Sequence, residues 1–139
     1  MAIWQRTFYL DIADNLLKTS DLFPALDKFL KRDWSLDSGQ CWGNPESNDI
    51  FVTWDNETNL VDEDIQVRVD LRNIDIDFIQ HVIKLTKDFG LKLKIARTQT
   101  IEPELSEIAG ILSISNADKF VSNPKKFLDD LEKGIIKLE

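Results

Sequence analysis

Ile65-Gln66-Val67-Arg68-Val69-Asp70-Leu71-Arg72 is the stretch whose reading decides the fold. Apolar and polar residues alternate strictly, so a strand here turns one face to a core and the other to water. Asp75 or Asp77 then stands where a helix N-cap is wanted, and Gly90 where a left-handed residue closes one. Between them Phe78, Ile79, Val82, Ile83, Leu85 and Phe89 form an apolar stripe over residues 76–89. Leu91, Leu93 and Ile95 alternate with Lys92, Lys94 and Ala96 as a further strand. Strand, helix and strand in this order predict a βαβ unit with a right-handed crossover.

Upstream, Ile3–Leu10 mixes aromatic and β-branched residues at strand length. Leu22, Phe23, Leu26, Phe29 and Leu30 follow at helical spacing, with Pro24 expected in the first turn and Lys28, Lys31 and Arg32 at the negative pole. Leu36–Trp42 and Ile50–Trp54 flank Gly43-Asn44-Pro45-Glu46-Ser47-Asn48-Asp49, which predicts a hairpin. Downstream, Pro103 opens a helix bearing Leu105, Ile108, Ala109 and Leu112. Asn123-Pro124 begins another that carries Phe127, Leu128 and Leu131 and closes at Gly134. The expected fold is α+β, a single domain over residues 1–139 in the order β-α-β-β-β-α-β followed by helices. About five strands would form a mixed or largely antiparallel sheet in a split βαβ arrangement, a ferredoxin-like variant with an extra strand, helices mainly on one face and a helical C-terminal cover. That analogy of element order implies no activity.

A chain of 139 residues suits one domain and buries about two-thirds of its unfolded surface. Its 17 Lys+Arg against 25 Asp+Glu leave a formal charge of −8, which argues against nucleic-acid binding because phosphates need cations opposite them. Cys41 and His81 are the only residues of their kinds, so no internal disulfide or soft-ligand zinc site is expected. A nucleophilic triad needs a base beside its nucleophile, and His81 groups instead with Asp77, Lys84 and Asp88 on a solvated helix strip. Cys41 reads as a small buried apolar residue. Asp55-Asn56-Glu57-Thr58-Asn59 has the alternating oxygens of a calcium loop, yet Leu60 replaces the turn glycine and Gln66 the bidentate glutamate. The glycines are scattered, without a phosphate loop or dinucleotide fingerprint. No catalytic residue, metal or cofactor is therefore expected. The first eleven residues lack the pattern of a secretion signal, and no apolar run approaches the roughly 20 residues of a membrane span. The expected setting is the cytoplasm, with no membrane partner. Nothing in the sequence sets the oligomeric state.

The charge is unevenly placed. Residues 1–90 hold 9 Lys+Arg and 17 Asp+Glu, whereas residues 91–139 hold 8 of each. From Asp33 to Val67 there is no Lys or Arg, against nine carboxylates and three of the four tryptophans. The plainer reading is a solvated hairpin whose charges protect a sheet edge. The functional reading is an acidic, aromatic surface that captures a basic protein, since tryptophan anchors interfaces and a field of one sign speeds encounter. The candidate partner-binding residues are Trp34, Asp37, Trp42, Glu46, Asp49, Trp54, Asp55, Glu57, Asp62, Glu63 and Asp64. The expectation is a non-enzymatic binding module of the inhibitor or immunity type. The alternative is a pocket of tryptophans and carboxylates for a cationic or sugar-like small molecule. A carboxylate-based hydrolase ranks third, because paired acids are unspecific in so acidic a chain.

Overall fold

A computed structural model of the protein describes residues 3–12, 16–96 and 99–113. Along the chain these form β1 (Gln5–Asp11), α1 (Thr19–Asp27), β2 (Arg32–Leu36), β3 (Gly39–Gly43) and β4 (Asp49–Thr53). Then follow β5 (Asp64–Asp70), α2 (Ile76–Asp88), β6 (Lys92–Ala96), β7 (Gln99–Ile101) and α3 (Leu105–Ser113). The fold is α+β, with one seven-stranded antiparallel sheet ordered β2-β3-β4-β5-β1-β6-β7.

The alternation in Ile65–Leu71 sets the register at the centre. Phe8 faces Val67 and Leu10 faces Ile65 across β1 and β5, while Leu10 also faces Leu93 of β6. Ile50 faces Val67 and Trp42 faces Ile50, carrying the same face outward through β4 and β3. These residues join Leu22 and Leu26 of α1, Phe78, Ile79, Val82 and Leu85 of α2, and Ile108 and Leu112 of α3 in one buried cluster. Apolar area removed from water on that side drives the assembly. The other face carries Tyr9, Phe51, Gln66 and Arg68, all half-buried. Asp75 caps α2 by accepting from Phe78 N–H at 3.1 Å, and Gly90 follows the helix with φ +63°.

Among the described residues seven strands stand where five were expected, and both additions lie at sheet edges. All five residues of β2 are exposed and its pairing with β3 shifts register between Arg32 and Ser35, so although Asp33-Trp34-Ser35-Leu36-Asp37 alternates, neither of its faces meets the core. Leu36 therefore ends β2, and the two-residue turn Asp37-Ser38 leads into β3. The three residues of β7 carry too short a pattern to stand out. The crossover from β5 through α2 to β6 joins strands that are not neighbours, as in a split βαβ arrangement: both run antiparallel to β1, which lies between them. Pro24 falls in the sixth position of α1 rather than its first turn. The carbonyl that loses a partner to it is that of Ser20, an exposed residue that water can serve. The helix expected over residues 124–133 lies outside the described residues.

Polar pairs knit the sheet's second face. Asp49, without exposed surface, takes a two-pronged contact from Arg68, its cross-strand neighbour, with Arg68 Nε at 2.7 Å from Oδ1. Cys41 Sγ lies 3.4 Å from the same carboxylate. Burial first, and then the charge and hydrogen bond of Asp49, push the Cys41 thiol up to about 12. Because the thiolate is the reactive form, the native protein should resist iodoacetamide at mildly alkaline pH and become reactive in denaturant. Rapid alkylation of the folded protein would mean that β3 and β4 separate readily.

Candidate protein-binding surface

The structure divides the eleven sequence candidates into four groups. Trp42 and Asp49 have no exposed surface, which corrects their assignment to a partner-binding face. Trp42 sits under α1, its Nε1–H donating to Asp27 Oδ1 at 2.8 Å and its ring meeting the edge of Phe23 at 4.9 Å. Asp49 is spent on Arg68. The period of two explains both placements: Trp42 belongs to the helix-facing side and Asp49 to the other, and each is covered there.

Glu46 is exposed in the turn between β3 and β4, and its backbone carbonyl accepts from Trp4 Nε1 at 3.0 Å and Arg72 Nη2 at 2.7 Å. Arg72 in turn lies 4.2 Å over the Trp4 ring. The third group, Asp62, Glu63 and Asp64, leads into β5. Lys94 on β6 faces it, held above the ordinary lysine range by its hydrogen bond to Asp11 foremost and by the charges of Asp64 and Glu63 after it. Cations from outside the acidic block thus reach several of its members.

The fourth group lies at the opposite end of the β3–β4 ladder from Glu46. Trp54 Nε1 donates to Asn56 Oδ1 at 3.1 Å, and Asn56 Nδ2 reaches Asp37 Oδ2 at 3.5 Å. Trp54 N–H also bonds the Ser38 carbonyl at 3.1 Å, which fixes the loop against the β2–β3 turn. Asp55 closes that loop on itself, accepting from Glu57 N–H at 2.8 Å, while Asn59 takes the left-handed φ of 57° that asparagine tolerates. Asp33, Asp37, Asp55 and Glu57 are all exposed and make no ion pair among the described residues.

Trp34 stands on β2 with 39% of its surface exposed, stacked on Phe51 at 4.9 Å, and Leu36 of the same strand is 62% exposed. Trp54 is half-buried on the other face against Phe23, at 5.2 Å. The three tryptophans of the acidic block therefore do not line a common pocket. Two residues absent from the sequence candidates, Leu36 and Phe51, complete the patch around Trp34. Phe51 was findable, since it alternates with Ile50 and Val52 and must point away from the helices. Leu36 was findable as well, two residues on from Trp34 in the alternation Asp33-Trp34-Ser35-Leu36-Asp37.

Arg32 anchors the start of β2. Its Nε and Nη2 each lie 3.0 Å from the Asp27 carboxylate at the end of α1, and its guanidinium lies 5.2 Å from the Phe23 ring centre. The hydrogen bonds from Arg32 first, and from Trp42 second, hold the Asp27 carboxyl below its ordinary range. His81 is exposed, as expected, with its ring stacked on Phe29 at 4.6 Å. Among the described residues no helix is long and apolar enough to cross a membrane, and no group of acids, histidine and cysteine is arranged to hold a metal. No family model matches the chain, and neither a curated protein nor a solved structure is detectably similar to it.

Proposed function

We propose that this protein is a non-enzymatic binding module that captures a basic protein on the edge formed by β2 and the loop after β4. The observation that carries this reading is the exposed Trp34–Leu36 patch on an edge strand, bordered by Asp33, Asp37, Asp55 and Glu57, which make no ion pair among the described residues. An aromatic anchor with an acidic rim supplies affinity from the ring and encounter rate from the charge. An open strand edge also offers backbone groups to an extended basic segment. The role is that of an inhibitor or immunity-type protein, whose carboxylates stand where a nucleic-acid enzyme would receive phosphates. We infer a cytoplasmic setting from the single cysteine, which suits a reducing compartment. The strands β6, β1, β5 and β4, with crossings through α1 and α2, read as a ferredoxin-like centre carrying β2–β3 on one flank and β7 on the other.

The test is salt-graded affinity capture from the cells that make the protein, with wild type and Trp34→Ala as paired baits. A basic protein should be retained by wild type and released as salt rises. Trp34→Ala should bind it with about 2 kcal/mol less free energy, roughly thirtyfold more weakly. If both baits retain the same proteins at the same salt, the surface is not the binding site.

A further inference from the structure

A concavity lies away from the acidic edge, between the end of α1, the turn joining β3 to β4, and the first turn of α2. We propose that this cleft binds a neutral saccharide. Its volume is about 460 Å³, and a recess of about 360 Å³ adjoins it, sharing Ser47, Asn48, Asp75 and Asp77. Each volume falls in the range of small-molecule sites, and the shared residues make the two contiguous.

The floor is apolar, built from Phe29, Leu30 and Phe78, with the His81 ring lying flat on Phe29. Backed by Phe29 on one side, the exposed His81 ring has its other side to offer the C–H face of a sugar, whose weakly positive hydrogens suit the face of an aromatic ring. Around it the Lys31 ammonium, the Asn44 amide nitrogen, the Asp77 carboxylate and the His81 ring nitrogens make no hydrogen bond among the described residues. Donors and acceptors are thus interspersed. A hydroxyl both donates and accepts, so a polyhydroxylated ligand satisfies such a rim. An anion would meet Asp75 and Asp77, and a cation would meet Lys31. A neutral ligand avoids both conflicts.

The wall is also preorganised. The Asn44-to-Asn48 turn is closed by Asn44 N–H on the Asn48 carbonyl at 2.9 Å, and Gly43 before it has a φ of +96°. Gln5 Nε2 holds the carbonyls of Pro45 at 3.1 Å and Ser47 at 2.6 Å from β1. Asp70 N–H holds Asn48 Oδ1 at 2.8 Å from β5. A turn pinned from two strands loses little entropy when a ligand arrives, which is what weakly held sugars require.

The experiment is a titration of isotope-labelled protein, read by amide chemical shifts, with glucose, galactose, mannose, N-acetylglucosamine, cellobiose and chitobiose. At least one sugar should shift the amides of Asn44, Ser47, Asn48, Asp77 and His81. Asp77→Asn should weaken that sugar about tenfold, the worth of one hydrogen bond, while leaving the spectrum otherwise native. Trp34→Ala should leave sugar binding unchanged, which separates this site from the protein-binding edge. The proposal is overturned if no sugar moves these amides, or if glycine, acetate or methylammonium moves them as strongly.

Discussion

Arg68→Met is expected to cost this protein about 3–5 kcal/mol of folding stability, the loss that follows when one partner of a buried ion pair is removed. Asp49 has no exposed surface, and Arg68 contacts both of its carboxylate oxygens. With Arg68 gone, Cys41 at 3.4 Å is left as a weak donor for a buried carboxylate. The variant therefore retains a desolvated charge that nothing offsets. Replacing both partners removes that charge, so Asp49→Leu combined with Arg68→Met should recover most of the loss. Denaturant titration of the two single variants and the double variant measures the coupling directly. Single and double variants of equal stability would mean that the pair contributes packing alone.

Trp42→Ala is expected to cost a similar amount, about 3–5 kcal/mol, through the cavity left by a fully buried indole. The ring fills the space between β3 and α1, touches Phe23, and bonds Asp27 through Nε1. Trp42→Phe keeps much of the volume and loses the Nε1–H bond, so it should cost less than the alanine variant. Asp27 would still have Arg32, its partner at 3.0 Å. The same burial predicts that iodide quenches Trp34 fluorescence and leaves Trp42 untouched. A stability loss for Trp42→Ala below that of a typical surface change would contradict its place in the core.

Trp42 and Asp49 also mark the boundary of what was legible in the chain. Both stand in the cation-free block and both were candidates for a surface. Trp42 and Asp49 lie on opposite faces of a hairpin, and each face is covered by something distant in sequence. For Trp42 it is Leu22 and Leu26 of α1. For Asp49 it is a guanidinium nineteen residues away. Composition counted Asp49 as an uncompensated carboxylate because Arg68 lies just beyond the block. Lys94 is further still, yet it faces Asp11, Asp64 and Glu63. Counting charge along a chain misses neutralisation that arrives across strands.

By itself the sequence determined the elements with strong periods. The alternation in Ile65–Leu71, the stripe of residues 76–89 and the alternation beginning at Leu91 all recur as β5, α2 and β6, because burial of one face imposes its period on the residues. Tertiary structure alone decided the neighbours. It placed β1 between β5 and β6, and it made an edge strand of Arg32–Leu36, whose short alternation buries neither face. It also sorted the acidic block into carboxylates spent inside, carboxylates offset by distant cations, and the exposed few beside Trp34. Periodicity is a local record of burial, whereas strand pairing and charge compensation depend on which distant segments meet.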